Sequence, residues 1–307
     1  VPRYKLTIAY DGTEFHGWQR QEPPVVGEGA GAIPVSDAEG FANVEYEGED
    51  GRTRRKLRTV QEVVTRAVHE IVREPAVVMG ASRTDSGVHA RGQVAAFTTT
   101  ESERGRGWPA ERGTEPFLRA LNSRLPEDVL IRSVEQVEPG FDPINDCTSK
   151  AYSYTLHISS HRALWDRNYV HHIWSPVSLD RMNDAARLLV GEHDFAGFAA
   201  AGHGRLTTVR RVLSCRVLEE EGAQASRHQG TEARRVRIDI AGTGFLWNMV
   251  RIVAGTLVEV GWGKKSLDDV KKALESGDRR LAGPTLPASG LCLEWIKYDA
   301  RASKEVP

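Results

Sequence analysis

Cysteine is scarce: Cys147, Cys215 and Cys292 are the only three in 307 residues, and they stand far apart. An odd number without close pairs excludes a disulfide framework and a Cys-x-x-Cys zinc site, leaving three small, mostly apolar side chains in a reducing compartment. No stretch approaches the ~18 consecutive apolar residues of a membrane span, so no membrane role is expected. The chain opens Val1 Pro2 Arg3 and runs into a strand-like segment, showing neither a secretory leader nor a transit segment. A cytoplasmic protein with a trimmed start is the expectation. Net charge is nearly absent too, −1 from 41 basic and 42 acidic side chains. Taken at face value, that balance argues against a nucleic-acid partner, whose phosphates call for a basic surface.

The balance conceals a segregation. Residues 22–57 hold eight acidic side chains against four basic ones, which leaves a mild +3 on the remainder. Arg52 to Arg58, Arg104 to Arg112 and Arg205 to Arg211 are candidate basic clusters, each equally readable as a solvated loop. Segment 22–57 is also rich in glycine and lacks periodicity, so it reads as an inserted surface loop with a short hairpin around Phe41 to Glu47. Its Gly27, Gly29 and Gly31 have the wrong spacing for a dinucleotide fingerprint, and Gly242 Thr243 Gly244 lacks a third glycine. His171 His172 and His193 Asp194 have no metal-ligand spacing around them.

With 40 per cent hydrophobic and 27 per cent charged residues, the chain has an ordinary soluble composition and is long enough for two domains. Alternation and turn signals predict strands at Lys5 to Tyr10, Ala76 to Met79, Gln93 to Thr98 and Val129 to Val137. A helix with a Thr59/Glu62 capping box runs to Pro75, and a second lies near Phe117 to Leu125. The order is βαββαβ. A similar order returns with strands at Tyr152 to Ile158, Val209 to Leu218, Arg234 to Ile240 and Leu291 to Tyr298, and helices at Leu179 to Val190, Phe245 to Val260 and Leu267 to Leu274. The expected fold is therefore α+β, two ferredoxin-like halves with helices on one face of an antiparallel sheet. The expected domains are 1–140, carrying the insertion, and 141–300, followed by a tail at 301–307.

The stretch Arg83 Thr84 Asp85 Ser86 Gly87 Val88 His89 sets one carboxylate between an arginine and a glycine turn at a strand exit. Such a loop is a place for catalysis, and an adjacent arginine favours an ionised carboxylate; taken alone, the same residues also make a simple turn. Around it stand Tyr10 Asp11 Gly12 Thr13 Glu14 Phe15 His16 Gly17 Trp18 Gln19 Arg20 Gln21, Ala120 Leu121 Asn122, and Lys150 Ala151 Tyr152 Ser153 Tyr154. Gly191 Glu192 His193 Asp194 Phe195 and the run Gly242 to Arg251 follow. In this order they resemble the TruA family of tRNA pseudouridine synthases, from about Tyr4 to Tyr298, interrupted mainly by the insertion.

The resemblance implies a cofactor-free isomerase that turns uridine into pseudouridine at positions 38, 39 and 40 of the tRNA anticodon stem-loop. It further implies a homodimer, and a continuous antiparallel sheet with a central cleft. By resemblance Asp85 is the essential aspartate, Arg83 supports the flipped-out base, and Tyr152 packs against the target uracil. Arg251 faces the cleft and Leu291 walls the pocket. Tyr154, on the same strand face as Tyr152, reads as core. One segment departs from the family pattern: Phe141 Asp142 Pro143 Ile144 Asn145 Asp146 stands where relatives have Phe-His-Ala-Arg, which removes two basic groups. A catalytically silent tRNA-binding protein on the same fold is the alternative, and a metal-dependent hydrolase a third reading.

Overall fold

The computed structural model describes residues 1–21, 44–47, 53–100, 105–200, 206–220 and 233–299, with the backbone alone for 44–47 and 53–56. The Gly-rich part of the insertion, Arg104, Arg205 and the tail 301–307 lie outside these. The chain is of α+β class, with five α-helices and twelve strands among the described residues. It divides into two compact units, one of Val1–Asp146 with Asp299 and one of Cys147–Tyr298. Among the described residues no helix is long and apolar enough to cross a membrane.

The first unit contains β1 (Arg3–Tyr10), a hairpin of β2 (Val44–Glu47) and β3 (Thr53–Lys56), α1 (Val60–Val72), β4 (Met79–Gly80), β5 (His89–Thr98), α2 (Thr114–Asn122) and β6 (Val129–Val137). β1 is central, antiparallel to β5 on one side and β6 on the other. Its strict alternation buries Tyr4, Leu6, Ile8 and Tyr10 on one face. Against them packs an aromatic cluster in which Phe117 of α2 meets Tyr4 edge-on at 5.0 Å and stacks on Trp108 at 4.3 Å. Burying such rings contributes about 2 kcal/mol or more each.

Two local expectations are corrected. Thr59 precedes α1 but makes no side-chain cap, and its residue is fully buried. The amides of Val60 and Gln61 donate instead to the carbonyls of Gly17 and Trp18, so the helix start is satisfied by backbone from the Tyr10–Gln21 segment. The strand expected at Ala76 to Met79 shrinks to Met79–Gly80, because the Ala76 amide is taken by the His69 ring and Val77 points to solvent.

The second unit contains β7 (Cys147–Ile158), β8 (His171–Ile173), α3 (Leu179–Leu188), β9 (Gly191–Asp194), β10 (Val209–Glu219), β11 (Arg234–Gly242), α4 (Met249–Gly261), α5 (Leu267–Ser276) and β12 (Leu291–Tyr298). Its strand order is β12-β7-β11-β10-β9, all antiparallel, with short β8 parallel to the end of β7. Inward residues Tyr154, Leu156, Ile238, Ile240 and Val217 build the core with α4, which is buried on nearly every side. α4 begins at Met249 rather than Phe245, because Asn248 adopts a left-handed conformation with φ 60 that breaks the helix there. Gly255 has no side chain for a reason: a Cβ there would lie 2.0 Å from the carbonyl oxygen of Pro284.

Candidate active site

In the first unit the Asp85 loop is clamped from both ends by the segment that follows β1. Before Asp85, the Thr84 carbonyl accepts from the Trp18 amide at 3.1 Å, and the Thr84 hydroxyl lies 2.7 Å from the Tyr10 hydroxyl in a buried pair. After it, the Gly87 amide and the Ser86 hydroxyl both donate to the Phe15 carbonyl, at 3.2 Å each. The turn closes with the Val88 amide on the carbonyl of Asp85 itself at 3.1 Å. Gln93 holds the loop entrance, its amide donating to the Ser82 carbonyl at 2.6 Å and its oxygen accepting from the Ser82 amide.

Two glycines make this clamp possible. A Cβ at Gly12 would sit 2.0 Å from the Val88 carbonyl oxygen, and one at Gly17 would sit 2.6 Å from that of Thr84. Gly17 also has φ +90, which side chains rarely adopt. The Tyr10–Trp18 motif is thus a cradle shaped to the backbone on either side of Asp85. The Asp85 side chain is half-buried at the loop, and Arg83 is exposed. Among the described residues no ion pair or hydrogen bond holds the Arg83 guanidinium, so Arg83 is available to a ligand rather than spent on a structural bridge with Asp85.

In the second unit, β7 places Tyr152 opposite Ile240 of β11 and Leu293 of β12. Its ring meets Phe245 edge-on at 5.4 Å, so Phe245 serves Tyr152 rather than the inner stripe of α4. Leu291 is buried at the start of β12, opposite Tyr154. Tyr154 is fully buried and donates to the Pro287 carbonyl at 2.8 Å. Burial raises its phenol well above the ordinary range, with the Arg251 cation pulling the other way. Arg251 donates from Nε to the Leu286 carbonyl at 2.6 Å and from Nη1 to Asn248 at 2.8 Å. Tyr154 and Arg251 therefore hold successive carbonyls of the segment that leads into Leu291.

The basic clusters fare differently from one another. Arg58 is a core residue: its guanidinium pairs with both carboxylate oxygens of Asp128 at 2.8 and 3.0 Å and lies 4.0 Å above the Phe15 ring. Arg112 covers Trp108 at 5.7 Å, and Arg210 folds back on the carbonyls of Thr207 and Val209. In the departed segment, Asp142 accepts from the amides of Ile144 and Asn145, which holds its carboxyl below the usual range, and the loop closes on itself. Among the histidines, His172 bonds to the Ser159 carbonyl and His193 to that of Val190.

Sequence reasoning did not single out Tyr10, Thr84 or Gly17 as site residues. Their common signal was present in the density of glycine, aromatic and hydroxyl residues in the two motifs, but their pairing is long-range. A carboxylate fixed by backbone on both sides, beside an unspent guanidinium, can act as a nucleophile or stabilise positive charge on an electrophile without further reorganisation.

Comparison with known proteins gives a consistent picture. The family model described as tRNA pseudouridine synthase matches residues 185–299. A protein named tRNA pseudouridine synthase A from Limosilactobacillus fermentum is 36% identical over 306 residues, covering 99% of this chain and 98% of its own length. One named tRNA pseudouridine synthase A 2 from Clostridium perfringens is 33% identical over 294 residues, covering 96% and 98%. The tRNA pseudouridine synthase A of Geobacter sulfurreducens is 35% identical over the same length.

Proposed function

This chain belongs to the tRNA pseudouridine synthase A family, and from that membership we propose that Asp85 is the carboxylate with which it isomerises uridine to pseudouridine in tRNA. The enzyme is an isomerase acting on tRNA uridine. The observation that carries the assignment of Asp85 is the double clamp, in which Thr84 on one side and Ser86 with Gly87 on the other are bonded to the Tyr10–Trp18 cradle.

The reaction breaks the bond between uracil nitrogen-1 and ribose carbon-1′, turns the base and forms a bond from carbon-5 to carbon-1′. Carbon-5 loses a proton and nitrogen-1 gains one, so atoms and electrons balance with neither redox nor energy input. One carboxylate meets the need, as nucleophile or as counter-charge to the sugar. Arg83 takes the place of the flipped base or holds a neighbouring phosphate, Tyr152 stacks on the uracil and relays the carbon-5 proton, and Leu291 supplies an apolar wall. Arg251 orients the segment leading to Leu291. Within the same proposal the substrate is the anticodon stem-loop and the enzyme works as a cytoplasmic homodimer. Its halves take the ferredoxin-like form that gives the family a continuous sheet and a central cleft.

Tritium release from tRNA bearing carbon-5-tritiated uridine tests this, with the parent compared to Asp85→Asn and neither metal nor nucleotide added. Release by the parent alone supports both the reaction and the role of Asp85. Equal release by the variant removes Asp85 from the chemistry, and tRNA binding without release from either protein favours a silent RNA-binding protein.

A further inference from the structure

Between Asp85 and the body of β5 the loop returns to the Gly12–Phe15 turn a second time, through the ring of His89. The Gly12 amide donates to Nδ1 of His89 at 3.0 Å in a buried bond. The Gly12 carbonyl accepts from the Phe15 amide at 3.0 Å, and the Phe15 carbonyl is the group that takes the Gly87 amide and the Ser86 hydroxyl. These bonds close a circuit. It leaves the loop at Ser86 and Gly87, passes through Phe15 and Gly12, and re-enters at His89, the first residue of β5. Only Val88 lies between the two points of attachment, and its carbonyl oxygen is the atom that a Cβ on Gly12 would meet at 2.0 Å.

Because an amide donates to it, Nδ1 presents a lone pair, and the ring proton belongs to Nε2. A competing arrangement stands close by. Asp11 Oδ1 lies 3.2 Å from the same Nδ1, and a proton placed between them would join the two side chains and end the bond from Gly12. Thr13 opposes that exchange: its amide and its hydroxyl both donate to Asp11 Oδ1, at 2.9 and 2.5 Å, which occupies the two lone pairs of that oxygen.

We propose that His89 is a positioning residue for Asp85. By accepting the Gly12 amide it fixes the turn whose Phe15 carbonyl holds Ser86 and Gly87, and these hold the carboxylate that precedes them. His89 acts through the backbone and takes no proton from the uridine. This rests on the reading of Asp85 as the reacting carboxylate.

The test replaces His89 by Asn, Gln and Leu. Asn sets its Oδ1 where Nδ1 stands, next to Cγ, and can take the Gly12 amide; Gln carries its polar atoms one bond farther, and Leu accepts nothing. Thermal unfolding checks that each variant folds. His89→Gln and His89→Leu should lower kcat on the order of 10- to 100-fold with KM within about 3-fold of the parent, while His89→Asn retains most of the rate. Exchange of the Gly87 amide, followed by NMR, should be about 10-fold faster in the Gln and Leu variants and close to the parent in the Asn variant. Nitrogen-15 spectra of the parent should show the His89 proton on Nε2. A proton on Nδ1 would overturn the proposal, as would an Asn variant no better than Leu in rate and Gly87 exchange, or a rise in KM at unchanged kcat. Should the parent release no tritium from tRNA, the reading of Asp85 fails by itself, since Gly87 exchange still decides whether His89 holds the loop.

Discussion

The hydroxyl of Tyr10, at the end of β1, lies 2.7 Å from the hydroxyl of Thr84, the residue immediately before Asp85. Both residues are buried, so this bond joins the end of β1 to the Asp85 loop in a place sheltered from water. Tyr10→Phe and Thr84→Val should each lower kcat by roughly 10- to 100-fold with KM nearly unchanged, because small displacements of a reacting group cost that much. Thr84→Ser, which keeps the hydroxyl, should restore most of the rate. Steady-state kinetics of the double variant check the pairing: it should be no worse than either single change, and additive losses would count against it.

Gly17→Ala puts a side chain at φ +90 and within 2.6 Å of the Thr84 carbonyl oxygen. Destabilisation of roughly 1–3 kcal/mol is expected, together with loss of turnover. Gly113 has φ 70 and ψ 179, a region open essentially to glycine alone, but empty space around it, so Gly113→Ala should cost about 1–3 kcal/mol from backbone strain without collision and leave turnover intact. Urea unfolding of the two variants separates strain from collision.

The neck of the insertion is closed by the Leu57 amide on the Gln21 carbonyl at 3.3 Å and by the Arg20 amide on the Gln61 side chain at 2.9 Å. Replacing residues 24–54 by a short Gly-Ser linker shortens the chain between these ends without touching these bonds. Loop length changes stability only slowly, so kcat/KM should stay within about 3-fold of the parent. Loss of turnover in a folded deletion variant would give the segment a part in the reaction.

Burial lowers the pKa of His16, His157 and His171 from the ordinary value of 6.5, with the neighbouring charge of His172 adding to the effect on the last two. The unfolded chain takes up these protons near that value and the folded chain only at lower pH. More protons are then bound by the unfolded state, so stability should fall as the pH is lowered through about 6.5. Urea midpoints at about pH 7.5 and about pH 5.5 check the direction, and His171→Gln should flatten the dependence.

The parts of this fold that could be read from the chain are strands whose apolar residues recur between clear turn signals. The Val129 to Val137 and Leu291 to Tyr298 strands match the structure to the residue because their inward positions are visible in the pattern. Where one element completes another, local signals mislead. Thr59 and Glu62 have the letters of a capping box, yet backbone carbonyls of Gly17 and Trp18 take its place, and Glu62 pairs with Arg20 at 3.4 Å. A true box sits at Ser266 and Asp269, ahead of α5. Arg58 looked like part of a basic surface because nothing near it in the chain announces Asp128. The Asp85 loop was legible as a motif, but the work of the Tyr10–Gln21 motif in shaping it exists only across a separation of some seventy residues.

At Gly255 the chain between α5 and β12 crosses α4 in backbone-to-backbone contact, and the Gly283 amide donates to the buried Thr256 hydroxyl at 2.7 Å. The residues that lead to Leu291 are thereby part of the helix's own cooperative unit rather than a flap laid over it. Their amides should exchange with solvent as slowly as those of α4, opening only when the helix itself unfolds. On the proposed role of Leu291, this segment should therefore meet each uridine in the same shape, leaving adaptation to the RNA.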